Sequence, residues 1–83
     1  MKAEIRKLLG TDKLVIGTDR VLRLLREGAL KQVLVASNCA TDVREDVEHL
    51  AGAAEVTALD ITNEELGVYC KKSFNIQLLG IKA

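Results

Sequence analysis

Apolar positions along this chain alternate between two spacings. Between residues 3 and 9, Ile5, Leu8 and Leu9 share one face of a helix, with Gly10 placed to close it. Lys13 to Gly17 then reads as a strand. Thr18 is expected to cap the next helix and Asp19 to complement its dipole, with Val21, Leu22, Leu25 and Ala29 facing inward and Gly28 as the stop. Lys31 to Ser37 (KQVLVAS) is almost continuously apolar and β-branched, the pattern of a strand covered on both faces. Thr41 is expected to cap a third helix whose Val43, Val47, Leu50 and Ala54 recur at helical spacing. EVTALDI, residues 55–61, forms a third strand. Thr62 and Glu65 have capping-box spacing for a short helix through Cys70, and FNIQLLGI, residues 74–81, completes the sheet.

This alternation predicts a three-layer α/β/α sandwich around a four-stranded mixed sheet. The chain has 83 residues, enough for one core, and it contains no proline, repeat or low-complexity tract to mark a linker, so residues 1–83 read as one domain. Met1 to Gly10 mixes charged with apolar residues, unlike a secretion signal, and no apolar run reaches membrane-spanning length; the cytosol is the expected compartment, with no membrane partner.

Composition changes the picture in two places. The formal net charge is zero, yet residues 1–31 carry eight cations against four anions, while residues 41–66 carry one cation against eight anions. A polyanion therefore has a basic region to meet despite the neutral sum. The aromatics are only Tyr69 and Phe74, so a ring on the surface would stand out.

Several chemistries lack their residues. Neither G-x-G-x-x-G nor G-x-x-x-x-G-K-[ST] occurs, which removes the phosphate-wrapping loops of nucleotide enzymes. The sole histidine, His49, falls about 200° around its helix from Val47, on the solvent side. Cys39 and Cys70 lack CxxC spacing and a histidine partner, so they read as small, partly buried thiols rather than metal ligands. No acid–base pair suggests catalysis, and no cofactor is expected.

What remains is a set of loops: Gly17 to Arg23, Ser37 to Cys39, and Lys71 to Phe74. In an open α/β sheet, ligands gather where strands end and helices begin. The third loop reaches that edge only if the last strand runs antiparallel to its neighbours. Given that, the loops combine helix N-terminal N–H donors, Arg20, Arg23, Lys71 and Lys72 for phosphates, Asn38 for a base edge and Phe74 for stacking. Irregular RNA is recognised through such groups. Taken singly, Gly17 reads more often as a plain turn glycine, Phe74 as a core residue at a strand start, and Lys71 and Lys72 as solvated.

Three pieces of sequence carry a resemblance: the G-T-x-x-V corner, the strand VLVASN ending at Asn38, and ELG…KKSF before the last strand. With them the chain resembles the kink-turn RNA-binding ribosomal proteins, the superfamily of L-seven-A-e and L-thirty-e, and is most similar to L-thirty-e of the archaeal large subunit. The resemblance implies a non-enzymatic protein that grips a sharply bent internal loop of ribosomal RNA, with other ribosomal proteins as further neighbours. It implies RNA contacts at Gly17, Thr18, Asp19, Arg20, Arg23, Asn38, Lys71, Lys72, Ser73 and Phe74, with Gly17 admitting RNA to the backbone and Phe74 stacking on an extruded base. The chain departs from the family at Asp19, where Asn or Lys is common, at Ala40, where proline is usual, and in lacking the C-terminal tail of many archaeal members. Asp19 would repel phosphate, which lowers the expected affinity. The acidic stretch Asp42 to Glu48 offers a second reading, a protein-interaction surface on the same fold.

Overall fold

The computed structural model describes residues 2–82. Its elements follow the order α1 (Lys2–Leu8), β1 (Leu14–Ile16), α2 (Thr18–Arg26), β2 (Leu30–Val35), α3 (Thr41–Leu50), β3 (Glu55–Ala58), α4 (Asn63–Tyr69) and β4 (Leu78–Lys82). The four strands make one sheet in the order β1-β4-β2-β3. β4 runs antiparallel to both β1 and β2, and β2 runs parallel to β3, so the sheet is mixed.

Inserting the last strand between β1 and β2 gives it a neighbour on each side, and side-chain alternation then feeds two cores. Leu34, Ala36, Leu79 and Ile81 join Ile5 of α1 and Leu66 of α4 on one face. Val33, Val35 and Leu78 join Val21 and Leu25 of α2 and Val47 of α3 on the other. The continuous apolar run in β2 serves both layers, as expected for a strand covered on each side.

Local chemistry departs from the sequence expectations at several termini. Gly17, not Thr18, is the N-cap of α2, and Thr18 is its first helical residue with no side-chain cap bond. At α3 the cap is Ala40, and Thr41 again lies one position inside the helix. There the Val43 N–H donates to Asp42 Oδ1 at 2.9 Å, a local bond one residue away. Among the described residues, only the Thr62–Glu65 pair makes the full reciprocal capping box. β3 stops at Ala58 and β4 starts at Leu78, so Leu59–Ile61 and Phe74–Gln77 are connecting segments. Each segment still touches the end of β2, since the Leu59 N–H donates to the Val35 carbonyl, the Ser37 N–H to the Ile61 carbonyl and the Ala36 N–H to the Gln77 carbonyl, but these segments lie outside the strands as the chain turns toward and away from α4.

Candidate functional site

The antiparallel course of β4 brings all three loops to one end of the sheet. Ile16, just before Gly17, pairs with Leu79, and Val35, just before Ala36, pairs with Leu78. The segment carrying Phe74 enters β4 beside both.

The α2 corner is built around Gly17, whose φ of 117° and ψ of 138° lie where L side chains are strained. An added Cβ there would meet nothing within 4 Å, so the constraint is conformational and the space in front of the backbone is open. The first intrahelical bond runs from the Val21 N–H to the Gly17 carbonyl at 3.0 Å. The N–H groups of Thr18, Asp19 and Arg20 therefore precede the intrahelical ladder, at the positive end of the helix dipole.

The loop between α4 and β4 starts from an unusual helix end. Lys71 takes φ 59°, while its N–H bonds the Val68 carbonyl and the Lys72 N–H bonds the Gly67 carbonyl, each at 2.9 Å. That pair of bonds is a Schellman closure. α2 ends in the same motif, but with Gly28 at the left-handed position. A lysine there costs about 1 kcal/mol relative to glycine. Lys71→Gly is accordingly expected to raise stability by about 1 kcal/mol in urea unfolding while removing a cation from the loop.

Past this turn, Phe74 is 55 % exposed, a large apolar ring on the surface. It lines a hollow of about 370 Å³ with Arg20, Lys72, Gly10, Thr11, Leu14 and Ile16. Phe74, Lys72 and Arg20 of the first turn of α2 thus share one hollow, with no carboxylate among its described lining residues. Arg23 is exposed one helical turn behind Arg20, and Ser73 is exposed in the loop between Lys72 and Phe74. Asp19 is exposed at the mouth of α2. Lys71 does not line this hollow; with Lys72 it lines a larger groove of about 1060 Å³ between α1 and α4, where the Arg6 guanidinium lies 4.8 Å from the centre of the Tyr69 ring.

Asn38 holds a different position from the others. Its Nδ2 donates to Asn63 Oδ1 at 3.0 Å, and its Oδ1 accepts the Asn63 N–H at 2.8 Å, so the amide ties its loop to the start of α4. Gln77 Oε1 accepts the Ala40 N–H at 2.9 Å and the Gln77 carbonyl accepts the Ala36 N–H at 2.9 Å, anchoring the same loop to the chain entering β4. Asn38 is thus a brace that also presents an exposed edge. Sequence reasoning missed Asn63 and Gln77 as its supports, and missed Gly10 and Thr11 as a wall of the hollow. A lone glutamine entering an apolar strand was the available signal for Gln77.

Both thiols are free. Burial pushes the Cys70 thiol up, against a smaller downward pull from Lys72. Burial also raises Cys39, with Arg44 pulling down and Asp42 pushing up. Both are held toward the neutral thiol, the opposite of a nucleophile's environment. His49 is exposed on α3, as expected.

Residues 1–83 match the ribosomal protein L7Ae/L30e/S12e/Gadd45 family over the whole chain. The chain belongs to this family. It is 35% identical to the large ribosomal subunit protein eL30 of Methanococcus vannielii over 90% of this chain and 73% of that protein. It is 34% identical to eL30 of Methanothermobacter thermautotrophicus, over 94% of this chain and 82% of that protein. Among solved structures, a Bacillus halodurans protein of unknown function superposes with a TM-score of 0.85 at 15% identity, covering 99% of this chain and 83% of that one. The Giardia lamblia 15.5kD RNA binding protein superposes with a TM-score of 0.77 at 14% identity, covering 99% of this chain and 70% of that one. The L7Ae/L30e fold is thus shared at low sequence identity, while the sequence relatives are large-subunit ribosomal proteins.

Proposed function

We propose that this chain is a non-enzymatic ribosomal protein of the large subunit that recognises a kink-turn in ribosomal RNA in the cytoplasm. The observation that carries the reading is the exposed Phe74 ring beside Arg20 and Lys72, at the mouth of the α2 N-terminus. The eL30 names of its relatives support the ribosomal assignment. In this reading Phe74 stacks on an extruded base, Arg20, Arg23, Lys71 and Lys72 hold the backbone, and Gly17, Thr18 and Ser73 let the RNA approach closely. Asn38, braced by Asn63, offers its remaining amide hydrogen and lone pair to a base edge.

The protein acts by selection. RNA that samples extended and kinked forms shifts to the kinked one because only that form fills the site, and no covalent step is involved. A gel-shift titration with a kink-turn RNA and a straightened control tests this directly. Preference for the kinked RNA, weakening as salt rises through loss of counterion release, is the expected result. Equal binding to both RNAs, or binding to neither, overturns the reading.

Asp19 makes a separate prediction. Its carboxylate stabilises the start of α2 but opposes phosphate at the same place. Asp19→Asn should tighten kink-turn binding roughly fivefold, the value of removing about 1 kcal/mol of like-charge repulsion in water, at a small cost in thermal stability. Unchanged or weaker binding would mean that Asp19 faces a donor on the RNA.

A further inference from the structure

The end of the sheet remote from Phe74 carries a second, chemically different hollow. Lys7, Lys13, Lys31 and Lys82 surround a depression of about 240 Å³ whose other lining residues are Leu8, Gln32 and Ile81. The four lysines come from the end of α1, the approach to β1, the start of β2 and the end of β4. Their convergence follows from strand pairing. The Lys82 N–H donates to the Lys13 carbonyl at 2.9 Å, and Lys82 lies opposite Leu30, next to Lys31.

These are four of the twelve cations in a chain with twelve anions, and among the described residues no carboxylate lines the hollow. Asp12 precedes Lys13 and Glu55 lies opposite Gln32, but neither lines the hollow, and the densest acidic group sits elsewhere, on the exposed face of α3 at Asp42, Glu45, Asp46 and Glu48. Grouping like charges works against the folded chain unless an anionic partner relieves the repulsion. The lining has no aromatic ring to stack a base, and lysine presents a point charge without the planar fork that reads base edges. Such a site grips phosphates irrespective of sequence.

We propose that this lysine hollow is a second RNA contact, which holds the sugar–phosphate backbone of a segment other than the one bound at Phe74. The choice of RNA over an acidic protein rests on the reading of the Phe74 site. β4 connects the two sites, from Leu78 beside the Phe74 loop to Lys82 at the hollow, a run of about 13 Å. The protein then bridges two stretches of RNA across the length of its sheet, rather than capping one.

The test uses the full chain as wild type, Lys31→Gln/Lys82→Gln and Phe74→Ala, each checked for folding by thermal melting. Lys31 is exposed and Lys82 half-buried at the rim, so neutralising both leaves the two cores untouched. The probes are a labelled, fully paired RNA duplex, a minimal kink-turn RNA and a polyglutamate peptide, titrated across a salt series.

Wild type and Phe74→Ala should bind the duplex alike, while the double lysine variant loses roughly tenfold in affinity and about 2 from its log–log salt slope. The same variant should keep its affinity for the minimal kink-turn within about twofold, since that RNA is engaged at the other end. Duplex binding that survives in the lysine variant, that is absent from the wild type, or that disappears with Phe74→Ala overturns the proposal. Polyglutamate binding as tight as the duplex, and lost with the lysines, overturns it in favour of an acidic protein partner. Failure to prefer the kink-turn, with lysine-dependent duplex binding intact, overturns only the reading of the Phe74 site.

Discussion

Phe74→Ala is expected to weaken the proposed kink-turn binding by about 1–3 kcal/mol, roughly five- to 150-fold, without destabilising the fold. The two halves of this expectation rest on different observations. Phe74 is 55 % exposed and belongs to neither core cluster, so its removal opens no internal cavity. The ring nevertheless shares its hollow with Arg20 and Lys72, where a base splayed from an internal loop would meet an aromatic ring and two cations together. The other aromatic, Tyr69, is half-buried and already carries the Arg6 guanidinium over its ring, so it does not substitute. Fluorescence anisotropy titration of a labelled kink-turn gives the affinity, and thermal melting gives the stability. Phe74→Tyr should retain most of the binding because the stacking face persists. Full affinity in Phe74→Ala would remove stacking from the mechanism and leave Phe74 as a bystander.

Gly67→Ala is the more discriminating substitution, because two physical effects predict opposite signs. Alanine is the better helix former by about 1 kcal/mol, so α4 considered alone would gain. In the fold, however, a Cβ on Gly67 collides with the backbone carbonyl of Phe74, and the next atoms in line are also backbone. Backbone cannot swing aside like a long side chain. The Lys72 N–H is bonded to the Gly67 carbonyl, so the loop is fastened to the very residue that would push it away. The overpacking term of about 1–3 kcal/mol should therefore win, giving a net loss of stability in urea denaturation. RNA affinity should fall as well, since Phe74 and Lys72 are displaced together. A variant more stable than the wild type would show that the close approach of helix and loop is not what glycine serves here.

These expectations also show where sequence reading succeeded and where it lacked information. Element order, the inward stripes of α2 and α3 and the closing glycines Gly10 and Gly28 follow from spacings of a few residues. The Thr62–Glu65 box was legible for the same reason, since both partners lie within one helical turn. Thr18 and Thr41 misled because capping depends on the backbone conformation of one residue. In each case the chain enters the helix one position earlier, at Gly17 and Ala40. Lys71 gave no sign of its left-handed φ, since a lysine in that position runs against local preference.

By itself, the sequence determined the alternation of helices and strands, the two-sided burial of β2, the segregation of charge and the types of residue available to bind RNA. Periodicity and short-range chemistry suffice for these. Only the tertiary structure decided that β4 runs antiparallel between β1 and β2, and the two proposed sites follow from that placement. It sets Phe74 and Lys72 beside Arg20 and gathers Lys7, Lys13, Lys31 and Lys82 at the opposite end, while the parallel pairing of β2 with β3 lets Asn38 reach Asn63 across 25 positions of chain. Such contacts join residues far apart in sequence, and they form because the most apolar strand of the C-terminal half is stabilised most where both its faces and both its edges are covered.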